Sequence, residues 1–177
     1  MLETDRLLLR LPQLSDAEPL LALYSDPEAM HFIGGVHPDA AADPTFVVRQ
    51  WVDRWEQNGF GHFVVERRED GAVLGRTGLV VWDTRDWRIK NASEAGEHAQ
   101  PELGWALARA FWGHGYATEA ARAVRDWGRA DRGIGRLVSV IAPDNLRSQR
   151  VAQKLGCVPG ETVVLADVGP AVLWEHA

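Results

Sequence analysis

The segment Glu102–Glu119, ELGWALARAFWGHGYATE, constrains the fold more than any other part of the chain. Its first residues, 102–107, are typical of a strand, and a glycine-containing turn at 112–117 leads into a run with apolar residues at helical spacing. Such a junction points unpaired backbone N–H groups, and the positive end of the helix dipole, at one spot. The segment therefore predicts a site for a phosphate or pyrophosphate beyond the strand end.

Length and composition predict a single domain, 1–177. The chain has 177 residues, of which 46% are hydrophobic and eight are tryptophan, so it can supply a proper core. Residues 1–10 carry four charges and no long apolar run, so we expect neither a signal peptide nor a membrane span, and a cytoplasmic location. The single cysteine, Cys157, excludes an internal disulfide, and the net charge of −6 argues against a nucleic-acid partner.

The first part of the chain predicts one strand and three helices. A strand is expected at 4–11, and the capping-box pattern Ser15–Glu18 predicts the start of the first helix. Asp26 and Asp43 each precede a proline, which is tolerated at the first helical position, so each predicts another helix start. Residues 33–43 are expected to form a mobile loop.

The middle of the chain predicts a hairpin and a long loop. Two apolar runs, 61–67 and 72–82, are joined by a short turn that contains Asp-Gly, which suits antiparallel strands. The polar stretch 83–101 is expected to be a loop. Its acidic residues could attract a cationic amine, or they could simply be a solvated connection.

A βαβ unit follows the glycine turn. The predicted helix at 117–130 leads to an apolar strand at 137–142, which we expect to lie parallel to the strand at 102–107 because a helix connects them. Pro143-Asp144-Asn145 ends that strand and offers a helix cap. The remaining predicted elements are a helix at 146–155 and a hairpin of strands at 162–166 and 171–175.

Several of these motifs resemble those of the GNAT acetyltransferase superfamily. They are WGHGYATEA (112–120), NLRS (145–148), KLG (154–156), TDRLLLR (4–10) and SDPEAM (25–30). The last two are similar to the RimJ/RimL-like branch, and the resemblance covers nearly the whole chain. The sequence departs from the usual superfamily pattern at Trp112, where Gln or Arg is usual, and at Cys157, where Phe is usual.

The resemblance implies a GNAT acyl-CoA N-acyltransferase fold of the α/β (α+β) class. This is a twisted, mixed, mostly antiparallel sheet of about seven strands, flanked by helices, with splayed central parallel strands. Acetyl-CoA would lie where the strands at Glu102 and Leu137 separate, and the backbone amides of 113–117 would hold its pyrophosphate. The expected cofactor-binding residues are Leu103, Trp105, Ala106, Leu107, Trp112, Gly113, His114, Gly115, Tyr116, Ala117, Thr118, Asn145, Arg150 and Lys154.

Alternatives remain for several of these residues. Glycines allow a close approach of the backbone to a ligand, yet Gly113 and Gly115 could merely shape the connection. A dinucleotide site is not expected, because position 118 is Thr and the G-x-G-x-x-G pattern is incomplete. Asn145 could contact the cofactor or only cap the helix. The basic residues of the last helix, Arg147, Arg150 and Lys154, could meet the 3′-phosphate of CoA or be solvated.

Two residues are candidates for catalysis. An amine must lose a proton before it attacks a thioester, and Glu102 could accept that proton directly or through water; its alternative role is a carboxylate at the end of the strand ladder. Many superfamily members protonate the departing thiolate with a Tyr that this last helix lacks. Ser148 matches a serine to which RimL-like enzymes assign that role, and the alternative is an ordinary first-turn serine.

Other reactive or aromatic residues are assigned mainly structural roles. The six histidines show no metal-ligand spacing, so we expect no metal. Cys157 is expected to be a small core residue, although a thiol near the cleft could be reactive. Core or loop anchors, of which one or two line the acceptor pocket, are expected at Trp51, Trp55, Trp82, Trp87 and Trp105.

The predicted function is an acetyl-CoA-dependent N-acetyltransferase. The family generally acts by direct attack in a ternary complex, without a covalent enzyme intermediate. The acceptor would be a primary amine, on a protein N-terminus or on a small molecule such as an amino acid, polyamine or antibiotic; no nucleic-acid or membrane partner is expected, and the protein would be a monomer or homodimer. The alternatives are a non-catalytic acyl-CoA-binding or sensor domain, and an interaction protein that uses a Trp-rich surface.

Overall fold

The computed structural model describes residues 1–36, 43, 45–165 and 168–177. Its strands are β1 (Leu2–Glu3), β2 (Leu7–Arg10), β3 (His62–Arg67), β4 (Val73–Asp83), β5 (Arg88–Lys90), β6 (Ala99–Leu107), β7 (Val138–Ile141), β8 (Val158–Leu165) and β9 (Gly169–Glu175). In the described residues they form one nine-stranded sheet in the order β1-β2-β3-β4-β6-β7-β9-β8, with β5 beside β4. Only the β6–β7 pair is parallel there.

Helices cover both faces of this sheet. They are α1 (Ala17–Tyr24), α2 (Pro27–Met30), α3 (Thr45–Asn58), α4 (Ala92–Ala95), α5 (Tyr116–Arg132) and α6 (Leu146–Lys154). On one face, α5 buries Ala120 and Val124 against Leu79 and Leu103, and on the other face α1 and α3 pack on the sheet around Val64. None of the helices in the described ranges is long and apolar enough to cross a membrane.

The parallel strands separate almost as soon as they meet. Glu102 and Val138 form the one register pair between β6 and β7 in the described chain. Beyond this point the Ser139 hydroxyl donates to the Leu103 carbonyl at 2.6 Å, so a side chain takes over where the backbone ladder stops. The predicted splay of the central strands is thereby confirmed.

The helix and hairpin predictions are largely confirmed, with one correction at a helix start. Asp26 and Asp43 cap the expected helices, since their carboxylates accept from the backbone N–H groups of Glu28 and Thr45. The first helix is not capped at Ser15: it begins at Ala17, after a 3₁₀ turn at Leu14–Asp16 whose Asp16 carboxylate accepts from the Gln13 N–H at 2.7 Å. The expected loop at 33–43 falls largely on residues 37–42, outside the described residues, as does the expected strand end at Ala166.

The prediction of one long loop over 83–101 is wrong. The stretch contains β5 and α4, and its last residues begin β6. The reason is the carboxylate of Asp83, which is fully buried and pairs with Arg85 and Lys90. These ion pairs hold the chain in a turn, so that β5 can pair with β4. Short strands such as β1 and β5 also raise the total above the expected seven.

Candidate active site

A cavity of about 1030 Å³ opens where β6 and β7 separate. Fifteen residues predicted from the sequence line it: Glu102, Leu103, Trp105, Ala106, Leu107, Trp112, Gly113, Gly115, Tyr116, Ala117, Thr118, Asn145, Ser148, Arg150 and Lys154. His114 does not line it; this residue is exposed and stacks on the Tyr116 ring. The fold thus brings nearly all the candidate residues together, and their individual roles stay predictions.

The first side of the cavity, the turn wall (Trp112–Thr118), is built from backbone. Gly113 and Gly115 both have a φ of +82°, a conformation that other residues adopt only with strain. The first intrahelical bond of α5 runs from the Glu119 N–H to the Gly115 carbonyl. The N–H groups of the three residues before Glu119 therefore have no partner inside the helix, and with the helix dipole they suit an anion.

Side chains from distant segments hold the turn wall in place. The Trp112 indole donates to the Leu107 carbonyl at 2.7 Å. Arg6 donates to the His114 carbonyl at 3.0 Å, pairs with Glu119 at 2.6 Å and lies 4.6 Å from the centre of the Tyr116 ring. Burial opposes the ionisation of Glu119, but hydrogen bonds from Thr4 and Arg6 lower its pKa. Residues of the TDRLLLR motif (4–10) thus hold the turn in position.

The helix α6 supplies another side of the cavity. The Asn145 side chain accepts from the Ser148 N–H at 3.1 Å, so it caps the helix as one of its two expected roles requires. Its amide N–H₂ group is not used by that bond and can still donate to a ligand. Ser148, Arg150 and Lys154 follow on the same helix and line the cavity.

The strand wall, which we define as His62, Arg76, Glu102 and Gly104, lines the same cavity. Glu102 is partly buried at the point where β6 and β7 separate, and its carboxylate accepts from the Trp82 indole and, at 3.4 Å, from the Val140 N–H. Burial raises the pKa of Glu102, against the opposing effects of the Trp82 bond and the Arg76 charge. A carboxylate with a raised pKa is a better proton acceptor near neutral pH.

Arg76 adds a buried cation to the strand wall. Its side chain lines the cavity, is 9% exposed, and its Nη1 lies 2.9 Å from the Nε2 of His62. Because a guanidinium only donates, Nε2 must be the acceptor, so His62 is neutral with its proton on Nδ1. Burial, and then the charges of Arg76 and Arg54, hold the pKa of His62 well below its usual value.

A buried hydrogen-bonded chain fixes the junction of the two strands. Ser139 donates to Leu103, so its oxygen accepts from His176 Nε2 at 2.9 Å, while the Nδ1 of His176 lies 3.2 Å from the Cys157 sulfur. Burial raises the pKa of Cys157 to about 11 and lowers that of His176 to about 4. The hydrogen-bonded side chains of Ser139, His176 and Cys157 are therefore uncharged near neutral pH. The Cys157 thiol belongs to the hydrophobic core, as expected.

Comparisons with known proteins decide the family. The model of the acetyltransferase (GNAT) domain matches residues 6–158. The chain belongs to the GNAT acetyltransferase family. Among its relatives is the uncharacterized protein YkkB of Bacillus subtilis strain 168, which is 32% identical over 92% of this chain and 87% of that protein.

Solved structures confirm the GNAT fold. An acetyltransferase from Agrobacterium tumefaciens is 26% identical with a TM-score of 0.78, over 99% of this chain and 94% of that one. The structure of AAC(6′)-Ib in complex with ribostamycin and coenzyme A has a TM-score of 0.75 at 21% identity, over 98% of this chain and 94% of that one. Assignment to the RimJ/RimL-like branch stays a prediction.

Sequence reasoning missed two features of this GNAT domain. Arg76 was not singled out, because an arginine in an apolar run of β4 gives no local sign that the fold buries it beside Glu102. The acids of the 83–101 segment were considered as attractors of a cationic amine, but Asp83 and Asp86 are paired with Lys90. The available signal is that Arg76 is the one charge inside the predicted strand 72–82, which marks the residue but does not show what lies beside it.

Proposed function

We propose that the protein is an acetyl-CoA-dependent N-acetyltransferase that transfers the acetyl group to a primary amine by direct attack in a ternary complex. The observation that carries this proposal is one continuous cavity that joins the turn wall to Glu102 through the gap between β6 and β7. AAC(6′)-Ib, which shares the fold, has been solved in complex with coenzyme A, and this supports the same cofactor here.

The residues present fit the cofactor. The unpaired N–H groups of the turn wall and the dipole of α5 suit a pyrophosphate. Arg150 and Lys154 on α6 add positive charge to the same cavity for the 3′-phosphate, and the Asn145 amide can donate to the pantetheine arm. The Leu103 carbonyl already accepts from Ser139, but the gap between β6 and β7 leaves the backbone of Trp105 on the cavity wall for the same arm.

Bound acetyl-CoA supplies the acetyl group and a thiol leaving group. In the proposed reaction Glu102 takes a proton from the acceptor ammonium, directly or through water, and so frees the lone pair that attacks the acetyl carbon. As the C–S bond breaks, the Ser148 hydroxyl donates a proton to the departing sulfur. The attacking nitrogen gives up its second proton, which restores the Ser148 hydroxyl through water, and Glu102 returns its proton to solvent. The cavity walls hold the two reactants together, which removes much of the entropic barrier to their reaction.

Calorimetric binding and turnover test the proposal separately. We expect acetyl-CoA to bind and to raise the melting temperature, by the equivalent of roughly 2.7 kcal/mol at 100 times its dissociation constant. We also expect thiol release when a panel of amines and N-terminal peptides is added. Absence of binding would refute the proposal, and binding without turnover of any amine would favour a sensor domain instead.

A further inference from the structure

We propose that the strand wall is an acceptor subsite for an amine that carries a carboxylate close to the amino group, as free amino acids do. The proposal rests on the proposed function, since it names the acceptor of that reaction. In it, Arg76 binds the carboxylate and Glu102 faces the amine. Arg76 would then be a specificity-determining residue, a role that nothing local in the sequence of β4 indicates.

The first support is the environment of Arg76. In the described part of the chain no carboxylate oxygen comes within 4 Å of its guanidinium. The groups that face it are the neutral ring of His62, the hydroxyl of Tyr24 and, farther away, the Glu102 carboxylate. Burial lowers the pKa of Arg54, and the nearby charge of Arg76 lowers it further. A buried cation that makes no direct ion pair is costly, and a guanidinium is suited to binding a carboxylate.

The second support is the position of Arg76 relative to Glu102. A Cβ placed on Gly104 would lie 3.5 Å from Nη1 of Arg76 and 3.7 Å from Oε1 of Glu102. Both charged groups therefore border the same small space on the cavity wall, with no side chain of residue 104 between them. A compact zwitterion can present its amine to the carboxylate and its carboxylate to the guanidinium across such a space.

The surroundings favour a small acceptor with apolar character over a polycation. Phe32, Val80, Trp82 and Trp87 line the same cavity, and Val80 and Trp82 are direct neighbours of Glu102. A polyamine or an aminoglycoside would bring several positive charges towards Arg76 and Arg54, and like charges repel strongly where water is scarce. An amino acid with an apolar side chain meets none of these objections.

The deciding experiment compares matched acceptors on the intact wild-type protein. Free L-phenylalanine and L-leucine are each paired with their amides, and ribostamycin and spermidine are added as polycations; acetyl-CoA-dependent thiol release and product mass are measured. We expect each acid to exceed its amide by at least about tenfold in kcat/KM, the scale of a lost charge-assisted hydrogen bond. The amide loses its ammonium proton more readily, so this preference cannot arise from the basicity of the amine.

Two variants locate the preference in the strand wall. Arg76→Gln removes the charge, and we expect the acid-to-amide ratio to fall towards one. Gly104→Ala places a methyl group in the space between the two charges, and we expect a raised KM for the acid with an unchanged dissociation constant for acetyl-CoA. Alanine at position 104 should not strain the backbone, because the φ of Gly104 is not positive.

The outcomes separate this inference from the proposed function. If acetyl-CoA does not bind, the proposed function fails and the inference with it. If acetyl-CoA binds but the amides or polycations are acetylated as well as the acids, or if other amines are acetylated and none of the acids is, the inference alone is overturned. A ratio that Arg76→Gln leaves unchanged, in a variant that still binds acetyl-CoA, would also overturn it.

Discussion

The two walls of the cavity are built in opposite ways. The turn wall comes from one continuous segment and offers backbone N–H groups, which any sequence with glycines at 113 and 115 can present. The strand wall collects single side chains from β3, β4 and β6 and offers charges. The first is suited to a constant ligand such as a cofactor, and the second can be changed one residue at a time, as the choice of an acceptor requires.

The largest expected effect tests whether the strand wall removes the proton from the amine. Glu102→Gln removes the proposed proton acceptor without changing the size of the side chain, so kcat should fall by about 100-fold or more. The affinity for acetyl-CoA should not change, because the turn wall is untouched. Single-turnover kinetics and calorimetry measure the two quantities. The control is Glu97→Gln, at an exposed carboxylate outside the cavity, and an unaltered kcat in Glu102→Gln would remove this residue from the mechanism.

The next effect tests the turn wall, and the chain provides a matched control. Gly115 and Gly133 stand at the two ends of α5 with φ of +82° and +63°. Alanine at either position should destabilise the protein by about 1–2 kcal/mol. Only Gly115→Ala should also weaken acetyl-CoA binding, by roughly 10- to 100-fold, because it misplaces several N–H donors. Equal affinities in the two variants would show that the turn does not bind the cofactor.

The same contrast explains what could be predicted from the sequence. The turn wall was predictable because its geometry follows from local chemistry, in which glycines permit a positive φ and a helix start leaves N–H groups unpaired. The hairpin of β3 and β4 and the parallel pair β6–β7 were predictable for the same reason, as periodicity and connection length determine them. Local interactions thus account for most of the fold.

What could not be predicted depends on contacts between distant segments. Arg76 meets His62 across the β3–β4 pairing, and Ser139 of β7 meets His176, the residue that follows β9. The structured part of 83–101 arises because Asp83 is buried with Lys90, which no local pattern shows. Such contacts depend on register, and one sequence without its fold does not give the register of a sheet.

A third prediction concerns the junction where the walls meet. Burial, and then the charges of Arg125 and Arg129, lower the pKa of His176 from 6.5 to about 4, so between these values the unfolded state binds the proton more readily. Stability should therefore be lost as the pH falls from 6.5 towards 4, by about 2 kcal/mol between pH 7 and pH 5 from this group.

Urea unfolding at the two pH values, on wild type and His176→Gln, measures that contribution. The variant should be less stable at pH 7 but should lose less stability on acidification. His98→Gln, at a partly exposed histidine, serves as the control and should behave as wild type. If wild type and His176→Gln lose equal stability, the junction does not account for the acid sensitivity.

The smallest expected effect asks how far the turn wall depends on a distant segment. Arg6 contacts Glu119, His114 and Tyr116, yet its side chain is 47% exposed, and exposed ion pairs contribute at most about 1 kcal/mol. Arg6→Gln should therefore weaken acetyl-CoA binding by no more than about fivefold, whereas Arg136→Gln, which breaks the exposed pair with Glu175 at the opposite end of α5, should leave it unchanged. A loss comparable to that of Gly115→Ala would mean that the turn is held open by Arg6 and not by its own glycines. In that case the turn wall, like the strand wall, would depend on contacts between distant segments.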